Sequence, residues 1–271
     1  MHRVLITGAA GDIGGRFREL LRGVYPVLRL SDIADLGPAG DGEEVDRTDV
    51  RDLAAVEGMM RDVDGVIHLG GIPLEDSWEN ILPNNIVGVY NVFEAARRQG
   101  VKRVVFASSN HAIGCYPRNR RIGPDHHVRP DSRYGLSKAF GEAVGALYAD
   151  KYGLRVMCIR IGNAADAPAN KRRLSIWIRY DDLAQLARIG LEHPDLHYEI
   201  VYGASDNASN WWDNAAAYRL GYKPDGVAEA HRQAAMDREA AAPEGELADL
   251  FMGGPFAAAE FAGDLARVLK S

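Results

Sequence analysis

Short, almost wholly apolar runs alternate along the chain with longer stretches in which apolar residues recur every three or four positions. The runs RVLIT (3–7), PVLRLS (26–31), GVIHLG (65–70), RVVFAS (103–108) and RVMCIRI (155–161) are rich in Val, Ile and Leu. They are too short for core helices, so each predicts a strand buried on both faces. The stretches 13–23, 52–61, 86–99 and 134–152 between them predict helices. Strand, helix, strand in sequence requires crossover connections, which give an α/β, doubly wound parallel sheet with helices on both faces. Further along the pattern is less regular. Residues 181–193 predict a helix, HYEIVYG (197–203) a late strand, and 211–220 and 227–240 two more helices. The expected division is a sheet-forming core over 1–165 and a small substrate-binding region over 166–271. The second region is expected to pack partly on the core and partly over the strand ends, where such sheets bind ligands.

Composition narrows the function classes. The chain has 271 residues, 46% hydrophobic and 26% charged, as expected of a globular protein. A net charge of −6 argues against general nucleic-acid affinity, with KRR at 171–173 the one local exception. No apolar run is long enough to span a bilayer, and MHRVLITG enters the first strand without room for a signal segment. Cys115 and Cys158 have no metal-ligand spacing, and His126 and His127 have no second ligand pair, so no metal is expected. A reducing cytoplasm is the expected compartment. The stretch AMDREAAAPEGE (235–246) is the candidate for a mobile surface segment.

Candidate chemistry begins where the first strand runs into TGAAGDIGG. Gly8, Gly11 and Gly14 are spaced to let backbone approach a pyrophosphate, and Asp12 and Ile13 open the helix whose N–H groups would face it. The second strand ends in Asp32, followed by Ile33. A carboxylate there accepts both ribose hydroxyls of NAD and repels the 2′-phosphate of NADP. No arginine follows in IADLG, so NAD is the expected cofactor. Downstream, YGLSK places Tyr134 and Lys138 on one helix face. Taken alone, such a pair is ordinarily a packed tyrosine covered by a solvated lysine.

With TGAAGDIG, Asp32 and YGLSK in one chain, residues 1–165 resemble the extended short-chain dehydrogenase/reductase superfamily, whose core is the Rossmann fold. The resemblance implies that Asp49 and Val50 contact adenine, and that Leu69, Gly70 and Gly71 line the nicotinamide half. It implies that Asn85 supports the lysine, and that Ser109, at the end of the fifth strand beside Ser108, is the catalytic serine. Tyr134 would then be the base, Lys138 would favour its phenolate and hold the nicotinamide ribose, and Ser109 would position the reacting oxygen.

Four longer motifs and MGGPF (252–256) resemble the uronate dehydrogenase family over nearly the whole chain. The four are SSNHAIGCYP (108–117), RPDSRYGLSK (129–138), RIGNAADAPANKRRLSIWI (160–178) and YGASDNASNWWDN (202–214). That family oxidises glucuronate and galacturonate at C1 to an aldaric acid lactone. By position, Asn110 and His111 would touch sugar hydroxyls, Asn163 would face nicotinamide and substrate, and Pro73 would border the sugar. Arg172, or its neighbour Arg173, would bind the substrate carboxylate, and Phe256 would close the pocket. The implied partner is a small hexuronic acid, with a homo-oligomer by analogy. Trp211 and Trp212 read as core or subunit-contact residues, with an aromatic sugar platform as the minority reading. Two other functions fit the dinucleotide motifs: a nucleotide-sugar 4-epimerase or dehydratase that retains NAD, and an NAD-sensing regulator without chemistry. The second would not need the tyrosine and lysine that this chain carries.

Overall fold

Nine strands form in the computed structural model, which describes residues 1–270. They are β1 (Arg3–Thr7), β2 (Val27–Ser31), β3 (Glu43–Asp46), β4 (Gly65–His68), β5 (Arg103–Ser109), β6 (Arg155–Ile161), β7 (Asn163–Ala164), β8 (Trp177–Ile178) and β9 (Tyr198–Gly203). Seven make one parallel sheet in the order β3-β2-β1-β4-β5-β6-β9, while β7 and β8 pair separately. The chain leaves β1 toward β2 on one side and later returns to β4 on the other. That reversal opens a crevice at the carboxyl ends of β1 and β4, paired as far as Thr7 and His68.

Strand residues alternate between two apolar layers, because successive side chains point to opposite faces. Val4, Ile6, Ile67, Val105 and Met157 pack with Phe17 and Leu21 of α1 (Asp12–Leu21) and with Leu183 and Leu186 of a later helix. Leu5, Val66, Val104, Phe106 and Val156 face the other way. There they meet Val56 of α2 (Leu53–Met59) and, past a short α3 (Trp78–Ile81), Val92 and Phe93 of α4 (Gly88–Arg98). Val144 and Tyr148 of α5 (Arg133–Tyr152) complete that layer. Two helices follow β6: α6 (Lys171–Ile176) and α7 (Tyr180–Glu192), the latter carrying Leu183 and Leu186. The sheet therefore draws its seventh strand, and one covering helix, from beyond residue 165.

Several expected elements take a different form. Strand β3, EEVD, escapes the apolar pattern because it is an edge strand. Its Glu43 pairs with Arg18 and Arg22, and its Glu44 with Arg3 and Arg29. The helix expected over 86–99 begins earlier, through α3 and a wide-turn segment at Leu82–Val87. The helix expected over 211–220 shrinks to Ala215–Arg219, because Trp212 bridges to Ile122 and stacks on Tyr202 at 4.8 Å. Residues 235–246, expected as a mobile surface segment, are mostly exposed; 235–241 belong to the helix Arg232–Ala241, where Ala235 is buried.

A charged fork ties the sheet to α5 below the crevice. Arg160 of β6 donates from Nε to Glu142 Oε1 (2.8 Å) and from Nη2 to Oε2 (2.9 Å). Ser108 Oγ donates to the same carboxylate at 2.6 Å. The two side chains are 1% and 4% exposed, so neither charge has water as an alternative partner. Arg160→Met is expected to leave Glu142 without its cation and lower unfolding free energy by about 3–5 kcal/mol in urea denaturation. Adding Glu142→Leu to that variant should recover most of the loss, since the pair's net contribution is smaller than the cost of stranding one member.

Candidate active site

A cavity of about 830 Å³ occupies the crevice, and Asn85 alone of the site residues singled out from the sequence is absent from its wall. The Asn85 amide lies behind the wall. Its Oδ1 accepts from Ile72 N–H (2.8 Å) and its Nδ2 donates to Ile72 O (2.9 Å) and Ser137 Oγ (3.1 Å). It makes no hydrogen bond to Lys138 and instead pins the loop after β4, whereas Asn84 reaches the wall.

One end of the cavity is backbone. Gly8 has φ +70°, and a methyl group on Gly14 would come within 2.3 Å of the Gly8 carbonyl oxygen. The chain thus passes flush against α1, whose first turn has no side-chain cap and keeps its N–H groups for an anion. Asp32 Oδ2 accepts from Ala10 N–H and Oδ1 from Ala34 N–H, each at 3.0 Å. Among the described residues no cation pairs with Asp32, which leaves lone pairs on both oxygens. Asp49 is tied to Arg51, whose hydrogen bonds hold its carboxyl below the usual range. A close glycine turn, an uncapped helix start and an unpaired carboxylate fit the phosphates and ribose of a dinucleotide. Sequence reading missed Arg47, which lies just past β3 and donates from Nε to Ile33 O at 2.9 Å.

The other end holds the reactive groups. At the start of α5, Ser132 Oγ accepts from Gly135 N–H (2.9 Å) and Glu75 accepts from Tyr134 N–H (2.8 Å) while pairing with Arg133. Lys138 Nζ donates to Ala107 O at 2.8 Å and lies 5.4 Å from the Tyr134 ring centre. Burial drives the Tyr134 phenol up to about 12, against a lowering hydrogen bond from Ser109. Burial also drives Lys138 down to about 8. In the free protein desolvation dominates, and the hydrogen bond from Ser109, rather than the neighbouring lysine, opposes it. Below them, His68 bonds Thr7 Oγ1 through Nδ1 (2.7 Å) and is held neutral, pushed down to about 3 by burial and by the Lys138 charge.

The remaining groups frame a polar pocket. Ser109 Oγ accepts from His111 N–H at 3.2 Å. The His111 ring bonds Asp131 Oδ2 through Nδ1 (2.8 Å), stacks on Phe256 (4.1 Å) and meets the Tyr134 edge (5.8 Å). Arg172 is buried, and Nε donates to Met252 O at 2.9 Å. Asn110, with its amide turned to satisfy both atoms, donates to Ile161 O and accepts from Arg172 Nη2, each at 3.2 Å. Its amide is thus already engaged in orienting Arg172. Burial lowers Arg172 to about 10, with Glu244 pulling the other way. Glu244 itself bonds Arg118 and Asn170, and Arg172 forms no ion pair among the described residues. Asn163 Oδ1 is buried without a hydrogen-bond partner in the protein. Arg173 also lines the cavity and is less buried than Arg172. Trp211 and Trp212 lie outside the wall; Arg118 sits over the Trp211 ring at 5.3 Å. Asp131, Glu75 and Met252 O were missed in the sequence, where no spacing links them to the groups they hold.

Residues 4–200 match the model of the NAD dependent epimerase/dehydratase family. The chain is 48% identical over 259 residues to the uronate dehydrogenase of Pseudomonas putida, covering 95% of this chain and 96% of that one. It superposes with TM-score 0.90 on a crystal structure of the Agrobacterium tumefaciens uronate dehydrogenase, a tyrosine-to-alanine variant complexed with NAD. That match has 43% identity and covers 95% of this chain and 97% of the other. A crystal structure of the Chromohalobacter salexigens glucuronic acid dehydrogenase gives the same TM-score of 0.90, with 43% identity and the same coverage.

The environment of Asp32 sets a dinucleotide preference. The unmodified protein is expected to bind NAD⁺ more tightly than NADP⁺ in fluorescence titrations. Asp32→Ala should weaken NAD⁺ about ten- to a hundredfold, by loss of hydrogen bonds to a charged acceptor. Its effect on NADP⁺ should be smaller, because the repelling carboxylate is gone and Arg47 lies close by.

Proposed function

Because the chain belongs to the NAD dependent epimerase/dehydratase family, we propose that it oxidises hexuronates, D-glucuronate and D-galacturonate, at C1 with NAD to give the aldaric acid lactone. The observation that carries this reading is Arg172: a buried guanidinium without an ion pair among the described residues, in the same cavity as Tyr134, Lys138 and Ser109. A buried cation without an anion favours a ligand that brings one, and the planar guanidinium suits a carboxylate.

In this mechanism the Tyr134 oxygen takes the C1 hydroxyl proton while the C1–H bond breaks and the C1–O bond becomes a carbonyl. The glycine turn after β1 and Asp32 would hold NAD⁺, which would supply the hydride acceptor. Ser109 hydrogen-bonds O1 and holds it against the phenol. Lys138, anchored by Ala107 O, keeps donors for the nicotinamide ribose and a positive charge near the phenolate. Arg172 holds the C6 carboxylate, so one end of the sugar is fixed while the other reacts. Its burial and its anchorage on Met252 O support Arg172 over Arg173. Exposed Tyr90, Leu136, Leu147 and Tyr152 on α4 and α5 support a homo-oligomer. Among the described residues no helix is long and apolar enough to cross a membrane; the cytoplasm is part of the proposal.

Arg172→Ala is expected to raise KM for uronates strongly, leave NAD⁺ affinity nearly unchanged, and erase the preference for uronates over glucose and galactose. Arg172→Lys should recover part of the loss, and Arg173→Ala should cost far less. Normal uronate oxidation by Arg172→Ala, or neutral hexoses matching uronates in the unmodified protein, would sink the proposal.

A pH profile tests the base. The reactive form pairs a Tyr134 phenolate with a Lys138 ammonium, one proton fewer than the resting pair. With the pair's first proton lost near 8, that form grows about tenfold per pH unit below 8 and levels above it. The logarithm of kcat/KM should therefore rise with pH and flatten near 8. Lys138→Met should extend the rise toward the higher value of Tyr134. Tyr134→Phe should lose about two to four powers of ten in turnover at every pH.

A further inference from the structure

Asp131 stands two residues before α5, and its side chain is 0% exposed. The fold leaves space for this carboxylate and little else: a methyl group on Gly114 or on Gly253 would come within 1.8 Å of Oδ2. Gly253 N–H donates to Gly114 O at 2.9 Å, closing that wall. Inside it, each carboxylate oxygen has one side-chain partner. Ser132 Oγ accepts from Gly135 N–H, so its own proton is free to go to Asp131 Oδ1, at 2.8 Å. Asp131 Oδ2 meets His111 Nδ1 at 2.8 Å. An ionised carboxylate has only lone pairs, so the proton between them belongs to Nδ1. In a neutral imidazole that leaves Nε2 bare. His111 lines the cavity and Asp131 does not, and the ring edge turned away from Asp131 carries Nε2. Phe256 stacked on one face and the Tyr134 edge hold the ring against rotation.

We propose that Asp131 is a positioning residue that fixes the Nδ1–H tautomer of His111, so that Nε2 is an acceptor selecting one sugar hydroxyl as a donor. The selection rests on the uronate reading above; the tautomer does not. Ser109 and the phenol attend to O1, and Arg172 to the carboxylate. A bare ring nitrogen beside Tyr134 adds a third point of recognition, requiring an O–H at one further carbon. A sugar with hydrogen or fluorine there leaves Nε2 unsatisfied in a dry pocket.

The test has two arms. Histidine-selective ¹⁵N NMR at mildly alkaline pH, with His111 assigned by its absence in His111→Phe, reads the tautomer without substrate. The expected result is a protonated Nδ1 and a pyridine-like Nε2, with Asp131→Asn shifting the ring toward the Nε2–H form. A neutral ring with Nε2 protonated in the unmodified protein overturns the proposal, whether or not Asp131→Asn folds. The second arm compares kcat and KM across single-position deoxy and fluoro hexuronates. One position away from C1 should cost the unmodified enzyme about ten- to a hundredfold in KM, and that penalty should vanish in His111→Phe and shrink in Asp131→Asn. Equal penalties at every position in all three proteins would overturn the selection. Lack of uronate oxidation by the unmodified protein would instead count against the function, with the NMR arm still deciding the tautomer.

Discussion

Two buried cations line the cavity, and among the described residues no carboxylate pairs with either. Lys138 and Arg172 are each held by a backbone carbonyl, Ala107 O and Met252 O, at 2.8 and 2.9 Å. A carbonyl satisfies a donor's geometry without cancelling its charge. Burial accordingly weakens both groups' hold on their protons, to about 8 and about 10. Water would relieve that penalty in the unfolded chain, so the folded state carries a positive potential that an anionic ligand can neutralise. The fold supplies the rigidity that keeps these charges in place. Lys138 is buried on α5 with Nζ over the Phe106 ring at 5.2 Å, and Arg172 is trapped between Asn110 and the chain at 252–254.

The same dryness explains the behaviour of Tyr134. The phenol proposed as the base is placed where its ionised form is disfavoured. The compensating charges are the buried ammonium and whatever the ligand brings. Under the proposed mechanism, catalysis and binding are therefore coupled through the charges that share this dry cavity. The carboxylates nearby are kept from interfering by prior engagement, Glu75 with Arg133 and the α5 backbone, Asp131 with His111 and Ser132, Glu244 with Arg118 and Asn170.

Much of this was legible in the sequence where the signal is local. The apolar strands, the glycine turn after β1, Asp32 at the end of β2 and the Tyr134–Lys138 pair depend on neighbours a few positions away. Pairings across the chain were not legible. Met252 lies 80 positions from Arg172, and Glu75 lies 59 from Tyr134. Asp131 read as one more loop acid in RPDSR until the fold set it between two glycines. Strand β3 was hidden because its stability comes from glutamate–arginine pairs at an edge, which leave no apolar period. Motif position marked Asn85 as a support for the lysine; its grip on both the N–H and the carbonyl of Ile72, 13 positions away, was not legible.

The chain at 252–256 has a bearing on how the protein comes into being. Met252 O grips Arg172, Gly254, at φ +63°, presses its backbone against the guanidinium, and Phe256 covers His111. On a ribosome these residues emerge after every strand of the sheet has been made. A nascent chain can thus close its glycine turn and present Asp32 while Arg172 still lacks its carbonyl and His111 its stacking partner. The dinucleotide end of the cavity can take shape before the residues that hold Arg172 and His111 arrive.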